Sequence, residues 1–421
     1  MPDLLIRVAT DDDVAAAGAL TAQAYGADGL VQDGDDYVEE LVDAVRRARE
    51  ATLLVATTPT DGTADVDGDA DDGVPTLAGT ITIAPAGTSY AEIAEPGEVE
   101  LRMLAVAPHA RRRGVAEALM RAAMREAVTL RAQRVVLSSL EEMAAAHRLY
   151  DRLSFDRAPD RDWHHEDIAL RVYTWEVPAG PGARAEAAAW PPIETHDVDG
   201  WRVGLSGGFT RRANSVLALV APTDLPAALA EVERLYGAAH QPPVFRVCGQ
   251  SEPEDLDRLL DERGYRQVAP TLVMVRTGLD GVAAPFESPG LQCTVSRTPD
   301  EDWLARWLDV KSAAPVDHAL AGRLVGGADA LYLTARDSYG PVGVVRAALV
   351  DDWAALACLA VDARARRRGI GRALTRAALH AASELGARRA FLQVEESNDA
   401  AIQMYASLGF TPAERYHYRQ R

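Results

Sequence analysis

Short apolar runs alternate with longer amphipathic stretches along most of the chain, a pattern that predicts strands alternating with helices. In residues 1–178 the order is β-α-α-β-β-β-α-β-α-β, from LLIRVA at the start to a strand at 167–177. One helix is predicted at 37–49 and a long one from the arginine-rich segment near 111 to about residue 130. Residues 286–421 repeat this order, with a helix near 299–311 and a hairpin turn at 338–340. The pattern therefore predicts an α/β fold with a mixed sheet, present twice.

The pattern of the central segment, 190–285, predicts a partial third copy of this unit. Its PVFRVCGQSEPEDLDRLLDERGYRQVAPTLVMVR has the strand, polar break, helix and strand that end the other two segments. Residues 178–192, PAGPGARAEAAAWPP, are rich in Pro, Gly and Ala and favour a linker. The predicted domains are 1–178 and 286–421, with a linker at 179–189 and a degenerate copy at 190–285.

One arginine-rich block occurs twice, as ARRRGVAEAL at 110–119 and ARRRGIGRAL at 365–374. Each follows a predicted strand and opens a predicted helix. The first amides of a helix have no intrahelical partner, and the helix dipole attracts anions. Gly114 and Gly369 let the backbone approach a ligand. The block is neither a Walker loop nor a dinucleotide fingerprint, and 190–285 lacks it. We expect a phosphate site at each copy.

The composition of the chain limits the classes of partner that we expect it to bind. A net charge of −19 disfavours binding to nucleic acid and to anionic membranes. The sequence shows no apolar run of membrane-spanning length and no signal-peptide pattern at its start. Three scattered cysteines disfavour a disulfide framework or a metal site and fit a reducing compartment. We therefore expect a cytoplasmic protein without a metal.

Three local patterns resemble motifs for other chemistry, but each lacks residues or an element that the motif requires. The aspartate-rich PTDGTADVDGDADDGVP has Asp72 where a calcium loop needs glycine and Ala78 where it needs glutamate, so a solvated loop is expected. GLSGG at 204–208 lacks the helix start that a hydrolase nucleophile elbow requires. His164 and His165 have no partners at ligand spacing, and a solvated loop is expected there.

Two pairs of motifs resemble the GNAT superfamily of N-acetyltransferases: RMLAVAPHARRRGVAEALM with AAAHRLYDRLSF, and CLAVDARARRRGIGRALT with NDAAIQMYASLGF. The resemblance covers about 1–178 and 286–421 by motif and 190–280 by pattern. It implies that the loop grips the pyrophosphate of acetyl-CoA and that the preceding strand splays to receive the pantetheine arm. The implied acetyl-CoA contacts are Leu104, Ala105, Val106, Arg111, Arg112, Arg113, Gly114, Val115, Ala116, Glu117, Leu359, Ala360, Val361, Arg366, Arg367, Arg368, Gly369, Ile370, Gly371, Arg372 and Asn398.

The same resemblance implies catalytic groups. Tyr150 and Tyr405 match the tyrosine that serves as general acid, and Glu100 matches a glutamate used as general base. Ala355 stands at the position of Glu100 in the last segment. The base there is left open among Asp351, Asp352, Glu395 and a water chain, and the amine could also arrive neutral and need no base.

The first copy departs from the family pattern at two positions. Met143 stands where the last copy has Asn398, and Ser154 stands where it has Gly409. Both departures weaken the expected acetyl-CoA geometry of the first copy.

The stretch WRVGLSGGFTRRANSV at 201–216 resembles GNAT proteins described as N-acetylglutamate synthases, and this resemblance covers 190–421. It implies Arg211, Arg212 and Asn214 as carboxylate contacts of a small-molecule amine acceptor such as glutamate. Three alternatives stay open: a thiol-sugar amine, as in mycothiol synthase; a protein N-terminus or lysine; and acyl-CoA binding without catalysis. The central segment is expected to shape the acceptor pocket of the last domain.

Overall fold

Two mixed β-sheets, one in each part of the chain, organise the fold. The computed structural model describes residues 4–32, 34–58, 76–165, 168–311 and 317–421. Contacts divide the chain into two compact units, Met1–Val177 and Pro178–Arg421. Both sheets contain parallel and antiparallel pairs, which confirms the α/β fold class. The aspartate-rich stretch, at 59–75, lies outside the described residues, so the solvated loop expected there stays a prediction.

The first unit has an eight-stranded sheet in the order β1-β2-β3-β4-β5-β8-β6, with β7 paired to β8. Only β4 and β5 run parallel among the described pairs. The strands are β1 (Leu5–Val8), β2 (Thr52–Thr58), β3 (Thr76–Pro85), β4 (Glu98–Val106), β5 (Arg134–Leu140), β6 (Asp156–Arg157), β7 (Trp163–His165) and β8 (Ile168–Glu176). The helices are α1 (Asp11–Ala27), α2 (Asp36–Val42), α3 (Ala44–Glu50), α4 (Val115–Thr129) and α5 (Ala144–Arg152).

Two local predictions for this unit are wrong. The helix predicted at 37–49 is divided into α2 and α3, because the Asp43 carboxylate accepts a hydrogen bond from the Arg46 amide at 3.0 Å and caps the second helix. His164 and His165 lie in the exposed strand β7 rather than in a loop. The long helix predicted after the arginine block is confirmed as α4.

The second unit has an eleven-stranded sheet in the order β14-β15-β16-β17-β18-β13-β19-β12-β11-β10-β9. Its elements are α6 (Gly182–Ala189), β9 (Glu194–Val198), β10 (Trp201–Leu205), β11 (Val216–Leu217), α7 (Leu225–Ala238), β12 (Val244–Cys248), α8 (Leu256–Glu262), β13 (Arg266–Arg276), β14 (Gln292–Ser296), α9 (Glu301–Lys311), α10 (His318–Val325), β15 (Ala330–Asp337), β16 (Gly340–Val350), β17 (Trp353–Val361), α11 (Ile370–Ser383), β18 (Arg389–Glu395), α12 (Asp399–Ala406) and β19 (Thr411–Gln420).

The segment predicted as a linker is part of the core of the second unit. Residues 182–189 form helix α6, in which Ala183 is 0% and Glu186 1% exposed. The Glu186 carboxylate pairs with the Arg246 guanidinium of β12 at 2.6 Å. The alanines that suggest a flexible linker instead allow the helix to pack closely on the sheet.

The central and last segments exchange strands. Strand β13 lies between β18 and β19, the place that β8 of the first unit holds between β5 and β6. Reciprocally, β19 lies between β12 and β13. The register pairs Leu272 with Val394 and Phe245 with Arg419. Each strand-helix-strand segment therefore completes the sheet of the other, and 190–421 shares one continuous sheet.

Candidate active site

A splayed pair of strands opens the sheet at the same place in both units. Strands β4 and β5 pair in parallel over four residues only, as do β17 and β18. Beyond that point each first strand carries a bulge, with positive φ at Met103 (54°) and at Cys358 (57°). Residues 104–106 and 359–361 follow the bulge, where no parallel neighbour pairs with them. The predicted pantetheine contacts thus lie at an open backbone edge.

The two arginine loops share one backbone conformation. Arg112 and Arg367 have φ of 61° and 62°, and Gly114 and Gly369, the N-cap residues of the following helices, have φ of 81° and 76°. Neither glycine provides a side-chain cap. The first amides of α4 and α11 are therefore left for a ligand, and positive φ explains the glycine in each copy. Val115 and Ile370 are buried beneath the loops, so they offer only backbone.

The arginines differ in what they contact. Arg112 and Arg113, like Arg367 and Arg368, are exposed and form no ion pair with any described residue. Arg111, by contrast, pairs with Asp28, the residue directly after α1, at 2.8 Å and donates to the Ala24 carbonyl of α1 at 3.4 Å. Its guanidinium therefore ties the loop to the helix α1, a role that the sequence resemblance does not indicate.

The third residue after each loop glycine carries opposite charge in the two copies. Glu117 in the first helix turn pairs with Arg121 at 2.9 Å. Arg372 holds the same position in the second copy and donates to the Ser407 hydroxyl at 2.9 Å. Ala116 and Gly371, beside them, keep this turn small. Only the second copy therefore adds positive charge to the helix N-terminus.

A cavity of about 790 Å³ lies in the second unit beside the open edge of β17. It joins side chains from the central segment with side chains from the last segment. Its lining includes Trp190, Phe209, Arg211, Arg212, Asn214, Trp307, Lys311, Cys358, Leu359, Ala360, Gln393, Glu395, Asn398, Tyr405, Tyr416 and Tyr418. Predicted contacts of acetyl-CoA and of the acceptor therefore meet in one space.

Tyr405 projects from α12 into this cavity and is 9% exposed. Burial raises the pKa of its hydroxyl above the usual value, so the group stays protonated and able to donate. Its nearest described ring is Phe410, at 5.8 Å between centroids. Asn398, also in the lining, accepts a hydrogen bond from the Ala401 amide at 3.2 Å and caps α12. The asparagine thereby fixes the helix that carries Tyr405.

Tyr150 has a more crowded environment in the first unit. Its ring lies 5.2 Å from that of Tyr173 and 6.1 Å from that of Phe155. Burial raises its pKa to about 12, and hydrogen bonding with the Ser139 side chain partly offsets this. The hydroxyl is therefore protonated, in a site packed closely by aromatic rings.

Glu100, the predicted base of the first unit, is 1% exposed. Its Oε2 accepts hydrogen bonds from the amides of Glu92 at 2.7 Å, Ile93 at 2.8 Å and Ala94 at 3.3 Å. Burial raises the pKa of the carboxyl. The structure thus gives Glu100 an anchoring function for the 92–94 loop.

The three carboxylates predicted as possible bases of the second unit lie in different surroundings. Asp351 lies in the hairpin turn before β17, and Asp352 pairs with Arg389 at 2.6 Å. Glu395, at the end of β18, lines the cavity with Tyr405. Of these three candidates, Glu395 is the one that shares a cavity with the predicted general acid, Tyr405.

The residues predicted to contact the acceptor also differ in their surroundings. Arg211 and Arg212 line the cavity. Asn214 is 4% exposed and its amide is engaged by backbone: Oδ1 accepts from Ser206 N and Gly208 N, and Nδ2 donates to Thr210 O. Asn214 therefore fixes the loop that presents the arginines, and it also lines the cavity, so its role as a carboxylate contact stays a prediction.

The remaining motifs show no competing chemistry among the described residues. Ser206 of GLSGG follows β10 and donates to Ala213 O at 3.1 Å, and the segment directly after it is not α-helical. The described ranges hold no group of three metal-ligating side chains. In the same ranges no helix is long and apolar enough to cross a bilayer.

Lys311 and the aromatic side chains of the cavity other than Tyr405 are site residues that the sequence did not predict. The signal was available, because Trp303, Trp307 and Lys311 are spaced by four residues and helical spacing puts them on one face. What the spacing does not reveal is that this face meets the central segment.

Comparison with known proteins identifies the family. A model of the acetyltransferase (GNAT) family matches residues 36–155, and one described as "Probable histone acetyltransferase Rv0428c C-terminal" matches 183–419. The uncharacterized N-acetyltransferase YobR of Bacillus subtilis (strain 168) is 25% identical over 242 residues, 56% of this chain and 96% of its own. The probable histone acetyltransferase Rv0428c of Mycobacterium tuberculosis (strain ATCC 25618 / H37Rv) is 29% identical over 271 residues, 60% of this chain and 78% of its own.

Two GNAT proteins are among the solved structures that match this chain. One from Kribbella flavida has a TM-score of 0.44 and 17% identity, covering 57% of this chain and 96% of its own. A tandem GNAT protein from the clavulanic acid biosynthesis pathway has a TM-score of 0.32 and 15% identity, covering 100% of this chain and 98% of its own. Since one family model covers more than half of the chain and another matches the first unit, this chain belongs to the GNAT acetyltransferases and is an acyltransferase.

Proposed function

We propose that this enzyme transfers an acetyl group from acetyl-CoA to the primary amine of a small molecule in the cavity of the second unit. The observation that carries this proposal is the meeting of Tyr405, the open edge of β17 and Arg211 in one cavity. Its volume, about 790 Å³, is in the range typical of small-molecule sites.

The residues around the second arginine loop fit acetyl-CoA. The free amides of α11, the exposed Arg367 and Arg368, and Gly369, whose surroundings are open, suit a pyrophosphate. The edge at 359–361 offers backbone donors and acceptors to an amide-bearing arm. When bound, acetyl-CoA supplies the activated acetyl thioester. The first unit has the same loop, and we expect it to bind acetyl-CoA as well.

Proton transfers in the second unit are assigned to Glu395 and Tyr405. Glu395 accepts a proton from the acceptor amine, directly or through one water, which leaves the nitrogen free to attack in a ternary complex. Tyr405 donates its proton to the departing thiolate, a role that its protonated state allows. Each such group contributes a factor on the order of 10²–10⁴ in rate.

In the first unit, Tyr150 and Glu100 are the corresponding acid and base. The Oε2 of Glu100 already accepts three backbone amides, so Oε1 is the oxygen that would take up a proton. The raised pKa of this carboxyl favours proton uptake. The crowding of Tyr150 makes this unit the weaker catalyst.

Other acceptors remain as alternatives. The relative from Mycobacterium tuberculosis carries the name of a probable histone acetyltransferase, which favours a protein lysine or N-terminus. A thiol-sugar amine and an amino acid such as glutamate are the small-molecule candidates, and acyl-CoA binding without turnover is the non-catalytic one. The presence of both tyrosines favours catalysis.

Release of CoA from acetyl-CoA tests the proposal directly. The purified protein is supplied with glutamate, polyamines, an amino sugar, peptides with free N-termini and a lysine-bearing histone-tail peptide. We expect at least one small amine to be acetylated, with the product identified by mass, and Tyr405→Phe to abolish most of this activity. Turnover confined to the peptides would contradict the small-molecule assignment, and turnover equal in Tyr405→Phe would contradict the site.

A further inference from the structure

Positive charge is concentrated in the cavity of the second unit, although the chain has a net charge of −19. Arg211, Arg212 and Lys311 line the cavity, and none of them forms an ion pair with a carboxylate among the described residues. Glu395 is the carboxylate among the described lining residues. Unpaired cations in a partly enclosed space attract an anionic ligand group.

Lys311 is distinctive because it is the one lysine in the 421 residues. It ends α9, four residues after Trp307, and helical spacing places both on one face. Both side chains line the cavity. The helix α9 therefore presents an aromatic ring and an ammonium group to the same space.

Aromatic rings accompany these cations. The guanidinium of Arg212 lies 4.9 Å from the Trp190 ring centroid, and that of Arg211 lies 5.7 Å from the Tyr418 centroid. The centroid of the Trp307 ring lies 6.1 Å from that of Trp190 and 5.6 Å from that of the Phe209 ring. A guanidinium stacked on a ring is oriented while its N–H donors stay available to a ligand.

The aromatic content of the cavity is high for this chain. The whole sequence has 7 Trp, 12 Tyr and 6 Phe, yet two Trp, three Tyr and one Phe line this single space. Trp190 and Trp307 are nearly fully buried, at 2% and 4% exposure. Such a wall buries a planar apolar group at low entropic cost because aromatic side chains have few rotatable bonds.

Cations in and near the cavity also affect the pKa of the thiol in the bulge of β17. Burial raises the pKa of the Cys358 thiol to about 12, and Arg346, Arg212 and Lys311 act in the opposite direction. Cys358 immediately precedes the open edge at 359–361. The cations therefore act at the end of the cavity where the acetyl group would be transferred.

We infer that the acceptor is an amine that also carries an anionic group and a planar apolar body. This inference rests on the proposed function. Arg211, Arg212 and Lys311 hold the anionic group, and Trp190, Phe209 and Trp307 contact the apolar body. A basic peptide has the wrong charge for this cavity, so the inference separates the enzyme's acceptor from a histone tail.

The single lysine provides a readout that does not depend on catalysis. The full chain is treated with an amine-reactive reagent in excess, and labelling of Lys311 is measured by peptide mass relative to the terminal α-amino group. The added amines are phenylalanine, phenethylamine, which lacks the carboxylate, and alanine, which lacks the ring. CoA release is measured in parallel with the same amines.

We expect phenylalanine to protect Lys311 at concentrations at which phenethylamine and alanine do not, and to have the highest kcat/KM. The phosphonate analogue of phenylalanine distinguishes the anion, since stronger protection by it would assign a phosphate-bearing acceptor of the same class. Equal protection by phenylalanine and phenethylamine, or none by either, would overturn the inference. Protection by phenylalanine without CoA release would leave the inference standing and contradict the proposed function.

Substitutions check the assignment of charge. Arg212→Gln should raise the KM for phenylalanine roughly tenfold to a hundredfold, because hydrogen bonds between charged groups are lost, with little change for phenethylamine. Lys311→Glu should shift the preference towards phenethylamine. Arg263→Gln is the matched control, since Arg263 is an exposed arginine of the same unit outside the cavity lining. Parallel KM changes for both amines in Arg212→Gln would overturn the role of the cations.

Discussion

The two arginine loops are nearly the same in sequence and backbone, but their surroundings differ. Both carry positive φ at the second arginine and at the glycine, and both follow a splayed strand. Tyr405 faces an open cavity, whereas Tyr150 is packed against the rings of Tyr173 and Phe155. The loop is a local device that ten residues specify. The acceptor space depends on what packs beside it.

The surroundings differ because the two copies complete their sheets differently. In the first unit, β8 of the same copy lies beside β5. In the second unit, β13 of the central segment lies beside β18, and the central segment also supplies Trp190, Phe209, Arg211 and Arg212 to the cavity. The strand exchange thus brings side chains of the central segment to the cavity of the second copy.

The largest expected effect comes from removing the exchanged strand. A fragment of residues 286–421 lacks β13 and β12, which leaves β18 and both edges of β19 without their neighbours. We expect no cooperative thermal unfolding for this fragment by circular dichroism. Fragments 1–177 and 178–421, each of which keeps its whole sheet, should unfold cooperatively. A cooperatively folded 286–421 would contradict the dependence of the second copy on the central segment.

The next effect separates the two tyrosines. Tyr405→Phe should lower kcat by a factor of about 10²–10⁴ and leave the KM for acetyl-CoA nearly unchanged, because it removes a proton donor and little contact area. Tyr150 is packed against Tyr173 in the more crowded unit, and we expect a much smaller loss for Tyr150→Phe. Steady-state kinetics of the two variants with the same acceptor provide the measurement. Equal losses would show that both copies act on that acceptor.

The loop glycines test whether both copies bind acetyl-CoA. Gly369→Asp places a carboxylate and a strained φ of 76° in the phosphate loop, and Gly114→Asp does the same at 81°. Titration calorimetry should give two sites in the native chain and one in either variant. Gly386→Asp is the matched control, because Gly386 has φ of 98° with open surroundings but lies after α11. One site in the native chain would show that only one copy binds.

The smallest effect concerns the charge at the helix N-terminus. Glu117→Arg gives the first loop the charge of the second, and Arg372→Glu does the reverse. A charge in the first helical turn contributes about 0.3–1 kcal/mol, so each site's acetyl-CoA affinity should change about two- to fivefold, upward for Glu117→Arg and downward for Arg372→Glu. Glu117→Gln separates loss of the carboxylate from gain of the cation. Unchanged affinities would show that the amides alone hold the phosphates.

Local patterns predicted most elements and the residues that depend on them. The strands at 353–361 and 389–395, the hairpin turn at 338–340 and the arginine loops follow from apolar runs, glycines and charge. Prediction failed where a local preference was overridden. Composition at 182–189 favours a linker, yet the contact of Glu186 with Arg246 buries it as a helix. Asp43 divides a helix that periodicity predicts as continuous.

Local sequence patterns predict the repeated α/β unit, the two arginine loops and the positions of Tyr150 and Tyr405, because each depends on spacing within a few turns of chain. The exchange of β13 and β19, the support that Asn214 gives its loop, and the cavity shared by Glu395, Lys311 and Tyr405 follow only from three-dimensional packing. The strand exchange depends on pairing between residues more than a hundred positions apart, such as Leu272 with Val394. Strand edges look alike in sequence, so long-range pairing and the site it builds are chosen by packing.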